Sequence, residues 1–301
     1  MFGTLESGIG LDIVVALQAG RTPALDALAQ GMHFAGGLWF YLGLLTLMFW
    51  AVRRETGIHL LVGTLSATVI TEFLKQLFQR PRPHIAHPEA VTALVTQGGY
   101  GLPSGHVLIA LVTWGVLAWH LRSRWLAILA GLIVVVMGWA RMYAGVHYPQ
   151  DVVAGALVGG LVLAAYIRWQ RPLSAWMTRQ MLSVQIGVVL LLALAALVLC
   201  GLSETGYTLA GMIAGAGLGL LWEARRVQFS THSEAARKMA AYLLGLALVG
   251  ALYVGLSAAF AELHPESFFR VVRYTLLGLA VSAGWPALGR RLGLFARRKT
   301  V

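Results

Sequence analysis

The chain has 301 residues, of which 58% are hydrophobic and 12% charged, with a mean hydropathy of +0.74. Those values exclude a soluble domain and predict a polytopic membrane protein of the all-α class, a helical bundle, because each crossing needs about 20 apolar residues. The net charge of +11 is not a nucleic-acid patch, since 16 of the 23 Lys and Arg residues fall in loops after every second apolar run, as cytoplasmic loops do.

In chain order, residues 1–32 come first. Asp12, Arg21, Pro23 and Asp26 interrupt the apolar stretch 8–31, which predicts an interfacial helix pair on the outer surface rather than a crossing. No basic leader with an apolar run and a cleavage site precedes it, so a cleaved signal peptide is not expected. Nine crossings are predicted, at 33–52, 58–76, 103–121, 125–142, 148–168, 183–202, 206–223, 237–260 and 267–288. The first five form a core, 33–170, and the last four a C-terminal extension with a basic tail, 171–301. The basic loops carry Arg53 and Arg54; Arg122 and Arg124; Arg168, Arg171 and Arg179; Arg225, Arg226, Arg237 and Lys238; and Arg290 to Lys299. They place the C-terminus in the cytoplasm and the loops around residues 80–103 and 141–151 outside. The lone Cys200 excludes an internal disulfide.

Polar groups are costly beside a bilayer and mark a site where they cluster. The first cluster is Lys75 to Pro83, with Lys75, Arg80 and Arg82 around a helix broken by Pro81 and Pro83. A lysine point charge and an arginine fork suit phosphate oxygens; the plain alternative is a basic cluster snorkelling to headgroups, the role expected for Arg80. Glu72, one turn before Lys75, is its expected partner. The second cluster is Pro103-Ser104-Gly105-His106 at the start of a helix, where unpaired amides and the dipole attract an anion. Ser104 adds a hydroxyl and Gly105 a close backbone approach; the plain alternative is an N-cap serine. The third runs from Arg141 to Asp151. His147 and Asp151 are four apart and share a helix face, so the carboxylate can hold one ring nitrogen and leave the other as a nucleophile; the plain alternative is a polar pair that packs helices.

The order Lys-x6-Arg-Pro, Pro-Ser-Gly-His, Arg-x5-His-x3-Asp resembles the type 2 phosphatidic acid phosphatase (PAP2) superfamily over residues 33–170. The resemblance implies a lipid phosphate or diphosphate phosphatase of the bacterial inner membrane, its site facing outward. Lys75, Arg82, Arg141, Ser104 and the Gly105 amide would hold the phosphate. His147 would attack phosphorus, His106 would protonate the leaving oxygen, and Asp151 would orient His147. No cofactor and no metal are implied, since three cations can neutralise the transition state. One departure is Ala140 before Arg141, where the family has serine and its hydroxyl. Alternatives are a lipid phosphotransferase using the same site and a non-catalytic lipid transporter or scaffold; a haloperoxidase is disfavoured by the membrane character.

The remaining polar residues take plainer readings. His84, His87 and Glu89 outline a weak zinc pattern, more simply a solvated loop. His33, His59, His120, His232 and His264 are expected at membrane boundaries. Glu223 is expected to pair with Arg225 and Arg226. Gly155 and Gly159 read as packing glycines, and Gly211, Gly215 and Gly219 as a helix seam. That seam would join either two copies of the chain or the core and the extension, which leaves a homo-oligomer open. The expected partners are lipid phosphate substrate and membrane lipids.

Overall fold

A computed structural model describes residues 8–231 and 234–298; His232 and Lys299 lie outside them. The chain is all-α apart from one antiparallel two-residue pair, β1 (Phe229–Ser230) with β2 (Ala296–Arg297). The helices are α1 (Ile9–Ala19), α2 (Pro23–Ala35), α3 (Leu38–Leu47), α4 (Arg54–Phe78), the single turn α5 (Pro83–Ala86), α6 (Gly105–Leu121) and α7 (Arg124–Tyr143). They continue as α8 (Pro149–Arg179), α9 (Leu182–Leu199), α10 (Glu204–Trp222), α11 (Ala235–Ala259), α12 (Glu266–Leu279) and α13 (Trp285–Arg291). Wider π-helical turns extend α3, α10 and α12.

Among the described residues, six helices are long and apolar enough to cross a membrane, or seven if the pair α2–α3, bent by 56°, is one crossing. This is an integral membrane protein. All nine predicted crossings are helical, but three are not long, apolar spans by themselves: 33–52 makes one only together with the rest of α2 across the 56° bend, and two others fall short for physical reasons. α6 has 17 residues, because the Pro-Ser-Gly-His turn delays its start. In α10 the glycines at 206, 211, 215, 217 and 219 dilute the apolar character.

Two compact units divide the chain: Met1–Leu42 with Val62–Trp169, and Gly43–Leu61 with Gln170–Val301. In the first unit α7 packs against α1, α2 and α6. Gln18 of α1 clamps the loop before α6, donating to the Thr92 and Tyr143 carbonyls at 2.7 and 3.2 Å and accepting from the Thr92 amide. Tyr143 donates to Asp26 of α2 at 2.7 Å, and Asp26 also binds Arg21. Residues 9–35 are thereby fixed to the end of α7, and α8 meets the start of α6 through Gly155. A methyl group at Gly155 would lie 2.7 Å from the Ser104 carbonyl oxygen, a separation that forces the two backbones apart.

In the second unit α10 packs against α9 and α12. Methyl groups at Gly211 and Gly215 would lie 2.6 Å from the Val271 carbonyl and 2.1 Å from the Thr275 carbonyl, and one at Gly219 would overlap the Ser282 hydroxyl. The glycine seam is thus filled by α12 and its π turn within the extension. This corrects the expectation of a dimer or core–extension seam: the face is already occupied by the chain's own backbone.

Glu223 also departs from expectation. It is fully buried and binds Arg54, whose Nε lies 2.9 Å from Oε2, and it accepts the Phe229 amide at 3.1 Å. Arg225 turns instead to the Leu221 carbonyl and Gln185. A residue two places on lies across the helix, so Arg225 does not face Glu223. Glu223→Gln leaves Arg54 only the exposed Glu55, 3.9 Å away, as a counter-charge and should cost about 3 kcal/mol, read as a lower unfolding midpoint in detergent. The double variant with Arg54→Met should recover part of that loss; equal midpoints for wild type and Glu223→Gln would contradict it.

Candidate active site

The helix α4 ends at Phe78, and Gln79 reverses the chain with φ near +50°. Arg82 then stands in extended backbone before the α5 turn, with only 1% of its surface exposed. Its guanidinium donates to the carbonyls of Gly98, Gly99, Tyr100 and Val146 at 2.9–3.2 Å, and Nη1 lies 3.0 Å from His147 Nε2. Arg82, expected as a phosphate fork, is thus also a clamp joining the loop before α6 to His147.

An arginine cannot accept a hydrogen bond, so His147 Nε2 is the acceptor and carries the lone pair. The ring proton then sits on Nδ1, 3.2 Å from Asp151 Oδ2. That same oxygen accepts the Tyr148 amide at 2.9 Å. Pro149 opens α8, and its first turn carries Asp151 onto the face of His147. Burial, followed by the nearby Arg82 and Arg141 guanidiniums, pushes His147 well below the ordinary histidine value. Its neutral form therefore persists as pH falls through about 6.5, where an ordinary histidine gains its proton. Nitrogen NMR of labelled histidine at pH 6 should show a neutral, Nδ1-protonated ring among the signals lost in His147→Gln; an imidazolium signal there would contradict this.

Ser104 and Gly105 sit where α8 meets α6. The Ser104 amide donates to the Asp151 carbonyl at 2.9 Å. Its hydroxyl makes no capping bond to α6 and is buried without a partner, so a plain N-cap does not describe it. A methyl group at Gly105 would lie 3.6 Å from Lys75 Nζ. Lys75 pairs with Glu72 at 2.8 Å, as its spacing predicts, and feels the charges of Arg82 and Arg141.

Arg141 is fully buried. Its Nη1 lies 2.9 Å from His33 Nδ1 and its Nη2 donates to Gln97 Oε1 at 2.9 Å, while Nε has no partner. His106 stacks on His33, with ring centroids 5.3 Å apart and planes 14° from parallel, and its Nε2 is buried without a partner. Neither His33 nor Gln97 was expected in the site. His33 was expected only as a membrane-boundary histidine; its partner Arg141 is 108 residues away in sequence, and no local spacing signals that contact. Ala140 is buried in an apolar cluster with Ala29 and Tyr143, a setting that suits its methyl group.

Among the described residues no group of three or more His, Cys, Asp or Glu is placed to hold a metal ion. His84 lies 3.1 Å from the Gly145 carbonyl, and His87 lies 3.6 Å from Glu89. All eight predicted site residues thus fall in the first unit; hydrogen bonds link Arg82, His147, Asp151 and Ser104, and His33 links Arg141 with His106. Gly155→Ala should separate Ser104 from Asp151 and lower kcat/KM at least about tenfold. Gly160→Ala, whose methyl group meets nothing within 4 Å, should leave it unchanged, and equal rates for the two variants would deny the seam this role.

The chain matches the PAP2 superfamily over residues 56–175 and a PAP2 superfamily phosphatase transmembrane extension over residues 207–298. Decaprenylphosphoryl-5-phosphoribose phosphatase of Mycobacterium tuberculosis is 30% identical over 50% of this chain and 84% of its own length. Lipid phosphate phosphatase delta of Arabidopsis thaliana is 24% identical over 56% of this chain, a match that spans 44% of the plant protein. The crystal structure of a transmembrane PAP2-type phosphatidylglycerolphosphate phosphatase from Bacillus subtilis covers 54% of this chain and 85% of its own, at 25% identity and a TM-score of 0.48. The motif order, the helical membrane fold and the match to 84% of the mycobacterial relative agree, and the chain belongs to the PAP2 superfamily, with that superfamily's transmembrane extension after it.

Proposed function

We propose that this protein is a phosphatase for lipid phosphates or diphosphates, working through a phosphohistidine and without a metal ion. The observation that carries this reading is a set of buried, unpartnered polar atoms from separate elements: Ser104 Oγ, His106 Nε2 and Arg141 Nε. A buried polar atom without a partner costs about 1–3 kcal/mol, and a phosphoryl group with several acceptor oxygens would relieve Ser104 and Arg141 together. The two relatives named above are phosphatases of lipid phosphates or of a lipid-linked sugar phosphate, by their names, which supports the same substrate class here.

In the proposed reaction His147 Nε2 forms a bond to phosphorus as the bond to the lipid oxygen breaks. Before attack, Arg82 Nη1 must transfer its hydrogen bond from Nε2 to a phosphate oxygen, so one donor first holds the lone pair in place and then binds the substrate. Lys75, Arg82, Arg141, the Ser104 hydroxyl and the amides at the start of α6 would face the equatorial oxygens. His106 would give a proton to the departing alcohol, or to the departing phosphate of a diphosphate. That proton would leave from Nε2, the ring nitrogen that is buried without a partner. In the second step His106 Nε2 takes a proton from water, whose oxygen attacks phosphorus and releases His147 and inorganic phosphate. The fixed cations supply the charge neutralisation that a metal ion gives other phosphoryl-transfer enzymes.

The distribution of basic loops supports a site at the outer face of the membrane and a cytoplasmic C-terminus. A headgroup can then reach His147 while its tails stay in lipid. In a bacterium this membrane would be the inner one, and the site periplasmic. The domain reading kept from the sequence is a surface segment 1–32, a catalytic core 33–170 and an extension 171–301. The test is phosphate release by the purified protein in detergent with EDTA, across phosphatidate, phosphatidylglycerophosphate and polyprenyl diphosphate. EDTA-resistant release identifies the substrate and supports the reading. Phosphate moved to a lipid acceptor without release would convert it to a phosphotransferase, and folded protein that does neither would sink it.

A further inference from the structure

We infer that His33, on the helix α2 that precedes the three motifs, is a positioning residue of the phosphate site, holding Arg141 and His106 in register without neutralising Arg141. The inference rests on the phosphate-binding reading above and deepens it. Arg141 must aim its remaining N–H groups at an anion from a buried position. An arginine side chain has several rotatable bonds, and only its terminal contacts fix the plane of the fork. Those contacts are His33 Nδ1 and Gln97 Oε1, each 2.9 Å from a terminal nitrogen. Both are neutral acceptors. A carboxylate in either place would orient the guanidinium equally well, but would cancel the charge on which phosphate binding depends.

The same imidazole also lies face to face with His106 at 5.3 Å. Gly36, one turn after His33, completes the pocket: a methyl group there would lie 2.3 Å from His106 Cδ2. The α2 helix is itself held by the hydrogen bond from Tyr143 to Asp26. Tyr143 lies two residues after Arg141, so one helix end fixes both the cation and the helix that orients it. The N-terminal segment thereby contributes a working part of the site.

The test compares three substitutions by two readouts: the Kd of inorganic orthovanadate, as a phosphate mimic, and the kcat and KM for the best lipid phosphate. Losing a hydrogen bond to a charged group predicts a vanadate Kd and a KM about 10–100-fold higher in His33→Ala. His33→Asn, whose amide oxygen can replace Nδ1, should stay within about fivefold of wild type. His33→Asp, of the same shape but charged, should bind vanadate no better than His33→Ala. Asn and Asp behaving alike, or an unchanged Kd in His33→Ala, would overturn the inference and leave His33 a packing residue. Wild-type protein that binds vanadate but hydrolyses no lipid would sink the phosphatase reading alone, since the vanadate series still decides the role of His33. Wild-type protein that binds no vanadate would overturn both.

Discussion

Replacing His147 with alanine is expected to lower kcat by about 10⁴-fold or more while the protein still folds. A loss of that size corresponds to about 5.4 kcal/mol of barrier, more than a positioning contact supplies and in the range of a lost nucleophile. The site explains why nothing nearby substitutes. Arg82 Nη1 holds Nε2 as an acceptor and Asp151 holds Nδ1 as a donor, so one lone pair is presented in one direction. His106 Nε2 belongs to a ring stacked on His33. Water attacking a bound lipid phosphate directly would still profit from the cations, which accounts for a small residual rate. Rapid quenching into base with a labelled phosphate should trap an alkali-stable, acid-labile phosphoprotein in wild type and none in His147→Ala. Turnover within tenfold of wild type would mean that His147 is not the nucleophile.

The parts of this site legible in the sequence are those whose geometry is local. His147 and Asp151 are one helical turn apart, as are Glu72 and Lys75, and a helix carries such pairs to one face whatever surrounds them. Proline and glycine punctuation placed the breaks after α4 and before α6, because backbone sterics act within a few residues. Composition and apolar run length gave the helical membrane class. The sequence reading failed where contacts are long-range. His33 looked like a boundary histidine because only the folded chain brings α2 to the end of α7. Glu223 was matched to its sequence neighbours, while its partner Arg54 lies 169 residues away in sequence. The glycines of α10 signalled a close helix approach, but a stripe of small residues does not name its partner; the structure supplies α12. Arg82 was legible as a cation and illegible as a clamp, since its carbonyl partners come from a loop without regular periodicity.

Asp151 gives a second large and more discriminating result. Asp151→Ala is expected to lower kcat by about 10³-fold, whereas Asp151→Asn should lose only about 10–100-fold. In a histidine held by an aspartate alone, an asparagine can turn its amide nitrogen toward the ring and impose the wrong tautomer. Here Oδ2 accepts two donors at once, the His147 Nδ1–H at 3.2 Å and the Tyr148 amide at 2.9 Å. A flipped amide would set its own N–H groups against both, so the asparagine oxygen is held where Oδ2 was. Ring direction and tautomer survive, and the loss is confined to the negative charge that balances His147 as it takes on the phosphoryl group. The Ser104 amide bonds the Asp151 backbone carbonyl, so neither substitution removes the link between α6 and α8. Measuring kcat for both variants on one substrate separates the two contributions of the carboxylate. A rate for Asp151→Asn as low as that for Asp151→Ala would mean that the charge carries the whole effect. A rate for Asp151→Ala near wild type would mean that Arg82 alone keeps Nε2 aimed at phosphorus.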